Sequence, residues 1–150
     1  MKLISAFAGG LAGACAMTLL HEVIKRFDKD APRMDLTGME AISKVTKAAG
    51  GHVPGDDTLY KEAIAGDIAG NAAYYSLAGL GGGNTDLKGL LLGVASGIGA
   101  IYMPGLLGLS EENSGRTDKT KALTTLYYSV GGLVASQVMQ LIDKKLSERR

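Results

Sequence analysis

Three long stretches of this chain carry no charge, and that feature limits its folding more than any other. Leu3 to Leu20, Gly89 to Ser110 and Ala122 to Ile142 hold 18, 22 and 21 residues without Asp, Glu, Lys or Arg, and Ala63 to Thr85 holds 23 with only Asp67. As helices, each is about long enough to cross a hydrocarbon core of roughly 30 Å. Nearly all the charge falls between these stretches or at the C-terminus. A helix on a soluble protein needs a polar face, and uncharged helices in water would expose broad apolar stripes. The expectation is an all-α fold: a four-span transmembrane helical bundle forming a single integral membrane domain over residues 1–150. The spans are expected at about 3–22, 60–82, 88–110 and 121–143. The first two are expected to be the weaker by hydropathy. The first resembles a secretory signal, but it is longer than an h-region of about 7–15 residues, so it is read as a retained helix.

Composition agrees with lipid as the solvent. Hydrophobic residues make up 46% of the chain but aromatics only 5%, there is no Trp, and 22 residues are Gly. Small residues recur every fourth position: Ser5, Gly9 and Gly13; Gly66 and Gly70; Gly89, Gly93 and Gly97; Gly132 and Ser136, followed by Gln140. Such spacing lets helix backbones approach closely, which drives association in lipid. These faces are expected to pack the bundle or to form a homo-oligomer interface. A formal charge of +1 leaves no basic field for nucleic acid. The single cysteine, Cys15, can form no internal disulfide and belongs to no zinc-type spacing.

The connection from Glu22 to Glu62 contains one more helix. Met39, Ile42, Val45 and Ala49 share one face, opposed by Glu40, Ser43, Lys44 and Lys47. An amphipathic helix over about 36–49 follows, capped by Asp35 or Thr37, ended by Gly50-Gly51 and expected to lie at the membrane interface. Pro104, with Gly105 beside it, is expected to kink the third span.

Polar residues near or within the spans are the candidates for function. Tyr60, Asp67, Asn71 and Tyr74 fall on one helical face, and His21 and Glu22 end the first span. A carboxylate in hydrocarbon needs a partner, and His21 and Glu22 are the expected ones. The candidate site is therefore His21, Glu22, Asp67, Asn71 and Tyr74. It is read as a structural clamp between two helices, as a proton or cation relay, or as a binding site for a polar headgroup. His52, in a Gly-rich segment, is read as a solvated loop residue.

No motif for covalent chemistry accompanies this set. His21-Glu22 begins a zincin-like pattern, but position 25 is Lys, and no Gly-x-Ser-x-Gly elbow occurs. No catalytic residue, metal or cofactor is expected. The partners expected are the bilayer and a homo-oligomer or larger membrane complex. The functional expectation is an accessory, assembly or structural subunit that is not an enzyme. The alternative is a homo-oligomeric channel or proton- or cation-linked transporter built on the Asp67 stripe.

The run Gly9-Gly10-Leu11-Ala12-Gly13-Ala14-Cys15-Ala16-Met17, with His21-Glu22 and Pro32 after it, resembles the opening helix of the YagU-like bacterial inner-membrane proteins. Gly89-Leu90-Leu91-Leu92-Gly93 and Met103-Pro104-Gly105-Leu106-Leu107-Gly108-Leu109-Ser110 are similar to a later helix of that family. The resemblance covers about a third of the chain and implies a small multi-span protein of the bacterial inner membrane, linked to acid resistance, with no catalytic residues.

Overall fold

Six helices and no strands make up the computed structural model, which describes residues 1–149. They are α1 (Leu3–Ile24), α2 (Met34–Ala48), α3 (Asp56–Ser76), α4 (Thr85–Leu106), the single turn α5 (Glu112–Gly115) and α6 (Asp118–Glu148). A 3-10 turn at Leu77–Gly79 follows α3. Caps set several of these boundaries. Asn84 accepts from the Leu87 N–H at 3.0 Å and Thr117 from the Thr120 N–H at 3.0 Å, each satisfying a free donor of a first turn.

Pro104, where a kink is expected, lies in the last turn of α4, and the helix stops two residues after it. The Leu109 N–H bonds the Pro104 carbonyl at 2.8 Å and the Gly108 N–H bonds the Gly105 carbonyl at 3.0 Å. Gly108, at φ 69°, supplies the left-handed residue that this closure requires.

The long helices pack in the order α3, α1, α6, α4, so α1 and α6 are central while α3 and α4 barely meet. Glycine governs these seams. Any side chain at Gly89 would strike the Gly132 carbonyl, one at Gly93 the backbone of Tyr128 and Ser129, and one at Gly97 that of Thr125. Gly9 and Gly13 meet α6 in the same way, and Gly10, outside the four-residue spacing, meets Ala72 and Ser76 of α3. Ser5 and Ser136 are fully buried, whereas Gln140 is exposed and bonds Asp86. Gly66 and Gly70 do not pack as expected. They lie on the exposed side of α3, where a Cβ would meet nothing within 4 Å, because α1 contacts the opposite side.

Among the described residues, only α1 and α4 are both long and apolar enough to cross a membrane; four such helices were expected. α1, expected among the weaker by hydropathy, is the more apolar of the two. The α3 and α6 segments fall short because Asp67, Asn71 and two Tyr lie in one, while Thr, Ser, Gln and two Tyr lie in the other. The helix expected over 36–49 occupies Met34–Ala48. Neither Asp35 nor Thr37 caps it: Arg33 stands at the N-cap without a side-chain bond. It lies against α3, where Gly38 approaches Ala63, and Val45 remains exposed.

Candidate functional site

Thr18, His21 and Glu22 lie one turn apart on α1, where that helix meets α2 and α3. The Thr18 hydroxyl donates to Asp67 Oδ2 at 2.9 Å, and the Asn71 amide, one turn further along α3, donates to Asp67 Oδ1 at 2.9 Å. Asp67 is thus held by Thr18 and Asn71, not directly by His21 or Glu22 as expected. All three acids of the region still border one small cavity of about 10 Å³, lined by Thr18, His21, Glu22, Asp35 and Asp67. That is room for a single water molecule.

Glu22 turns outward from this cavity to a network the sequence reading did not anticipate. It accepts from Tyr60 Oη and, at 2.6 Å, from Lys25 Nζ. The same ammonium reaches Asp35 Oδ2 at 3.0 Å and sits 5.1 Å above the Tyr60 ring. Arg33 grips Asp35 with two bonds, Nε to Oδ1 at 3.0 Å and a terminal nitrogen to Oδ2 at 2.9 Å. The Asp35 side chain is only 4% exposed. Burial alone would raise its carboxyl, but the bonds from Arg33 and Lys25 outweigh that and hold it below the usual carboxylate range. Burial likewise works against the Lys25 ammonium, and Glu22 and Asp35 more than offset it, so Lys25 stays charged. Arg33 and Lys25 fall in the charged connection and Asp35 opens α2. Lys25 stands three residues after Glu22, but no spacing on a single helix joins Arg33 or Asp35 to α1.

His21 differs from its neighbours. It is 4% exposed, and neither ring nitrogen has a hydrogen-bond partner. Its ring meets Tyr127 edge-on at 5.1 Å and Tyr128 at 5.7 Å between centroids. The imidazole packs on this tyrosine face with both of its nitrogens buried. Tyr74 does not border the Asp67 cavity: with Asn71 it lines a groove between α3 and α4, its ring tilted 60° to that of Tyr75 at 6.0 Å between centroids. His52 is exposed, as a loop residue is expected to be.

Chemically, the site can hold helices together or pass a proton among oxygen groups and His21. Among the described residues, no group of three or more His, Cys, Asp or Glu is placed to hold a metal ion. Comparison with protein-family models, with curated proteins and with solved structures finds no match for the chain.

Proposed function

We propose that this is a four-span protein of the bacterial inner membrane, acting through helix packing within the bilayer as an accessory, assembly or structural subunit. One observation carries the reading: the fold is inside out by the standard of a soluble protein. Its interior is Gly, Ala, Ser and Thr with a few Tyr and Met, while Leu3, Phe7, Leu19, Leu91, Ile98 and Leu106 point outward. Water would penalise that arrangement and lipid would not. The Ser and Thr hydroxyls of α6 bond backbone carbonyls one turn back, as Thr124 and Ser129 do, which keeps them satisfied in hydrocarbon. The resemblance of α1 and α4 to the YagU-like proteins supports the same placement.

Cys15 tests this directly. It is the sole cysteine, lies mid-way along α1 and is exposed. In native membranes it should resist a bulky water-soluble maleimide and react once dodecyl sulfate is added. Rapid labelling before detergent would overturn the reading. Native mass spectrometry after gentle extraction then separates a homo-oligomer from a complex with a different protein, and a bare monomer would count against the subunit role.

A second reading, a proton- or cation-linked channel or transporter, is favoured by the buried, unpartnered His21 beside the Asp67 cavity. Under it, Asp67→Asn abolishes pH-driven flux in proteoliposomes while the bundle stays folded. Under the clamp reading, the same change lowers the melting temperature by the equivalent of ~1 kcal/mol and alters no flux.

A further inference from the structure

Because α3 and α4 stand at opposite ends of the packed row, a groove of about 340 Å³ opens between them beneath α2. Tyr74 forms one wall, and Ala100, Met103 and Pro104 form the other. Thr37 of α2 lines it; this residue is 8% exposed, and its hydroxyl has no hydrogen-bond partner. Gly99 lines it too, and a Cβ there would meet only Met103 Cγ, at 3.9 Å. Gly89, Gly93 and Gly97 are explained by the backbone of α6 against them. Gly99 has no such neighbour, although glycine weakens a helix interior. What it provides is groove width.

At the C-terminal end of α4, Leu107 and Leu109 border both this groove and an apolar depression formed with Ala41, Val45 and Ala48. The one charged residue along that depression is Lys44. Its ammonium is fixed there by the carbonyls of Leu107 at 2.6 Å and Gly108 at 3.3 Å. The continuous surface is therefore mostly apolar, with Asn71 and Ser96 among its lining and a cation at one end.

The geometry points to a lipid site: one acyl chain of an anionic glycerophospholipid lies between α3 and α4, and its phosphate sits beside Lys44. Charge selects this occupant, since a neutral amphiphile leaves Lys44 without a counter-charge. The space is at the small end of ligand pockets and too narrow for a helix of about 10 Å diameter. The inference rests on the membrane reading above.

Protein extracted in mild detergent is mixed with equal amounts of phosphatidylglycerol and phosphatidylcholine and examined by native mass spectrometry. One phosphatidylglycerol should remain bound through delipidation. Gly99→Leu, which fills the groove without meeting backbone, should weaken retention about tenfold. Ala95→Leu, on the exposed side of α4, should leave it unchanged. Lys44→Gln should remove the preference for phosphatidylglycerol; it decides the matter alone if Gly99→Leu loses helicity. Equal retention by a folded Gly99→Leu, or no preference between the lipids in the wild type, overturns the site. Protein that alkaline carbonate strips from membranes overturns the membrane reading first. Protein that stays in the membrane but keeps no lipid overturns only the groove assignment.

Discussion

The seam between α4 and α6 and the corner where α1, α2 and α3 meet solve the same packing problem with different chemistry. Along the seam, Gly89, Gly93 and Gly97 bring backbone against backbone, and the Asp86 carboxylate joins the two helices at an exposed edge through Gln137 and Gln140. At the corner, Glu22, Lys25, Arg33 and Asp35 form a chain of ion pairs above the hydrogen-bonded Asp67. The seam depends on the absence of atoms, so any addition there disrupts it. The corner depends on complete pairing, so any removal leaves a charge or donor without its partner.

The sharpest way to break this contrast is Gly93→Leu. Its side chain would meet the Tyr128 carbonyl and the Ser129 Cα, each at 2.6 Å from the new Cβ, and backbone cannot step aside as a flexible side chain does. A loss of ~3 kcal/mol is expected, read as an early, broadened thermal transition in detergent followed by circular dichroism. Gly99→Leu, two turns along the same helix at an open position, should show no such loss. If both variants melt alike, close backbone contact is not what holds the seam.

Asp35→Ala tests the corner and should be next in size. It leaves Lys25 and Arg33 without their shared carboxylate, and because Arg33 is partly exposed the expected loss is about 2 kcal/mol, less than for a fully buried pair. The pH dependence has a definite sign. The folded-state carboxyl titrates below its ordinary value, so its stabilisation is complete above the unfolded value of about 4 and disappears as pH falls through the lower folded value. Wild-type melting temperature should fall on acidification in that window, and the variant should lack this component. An identical acid profile in both proteins would remove Asp35 from the account.

His21→Phe should have a smaller effect of opposite sign. The edge contacts with Tyr127 and Tyr128 survive, while two unpartnered buried nitrogens are removed, so stability should hold or rise by up to ~1 kcal/mol. A marked loss would mean that His21 is hydrogen-bonded in solution. Least of all, Lys119→Ala removes an exposed pair with Asp28 at 2.7 Å and should leave the melting temperature unchanged.

The long helices were legible from charge spacing and α2 from its apolar periodicity, because a helix is the way an uncharged or one-faced stretch satisfies its own backbone hydrogen bonds. The same spacing placed Gly9, Gly13, Gly89, Gly93 and Gly97 on packing faces correctly, yet it gave Gly66 and Gly70 equal standing when they face outward. Periodicity says which residues share a helix face and nothing about what lies opposite. For the candidate site, Asp67 and Asn71 could be paired from their four-residue interval. Thr18 and Lys25 lie within a turn of Glu22 and Arg33 lies two residues from Asp35, but the bonds from Thr18 to Asp67 and from Lys25 to Asp35 form only when α1, α2 and α3 dock.

By itself, then, the sequence determined the all-helical character, the approximate extent of each long segment, the crowding of charge into the connections and the smallness of the packing residues. These are local properties, set by side-chain size, charge and capping within a few turns of one helix. The order α3, α1, α6, α4, the pairing of Asp35 with Lys25, the isolation of His21 among tyrosines and the open groove beside Gly99 were decided by tertiary structure alone. Each depends on which faces of separate helices meet, and that choice is made by the shape and pairing of all the helices together.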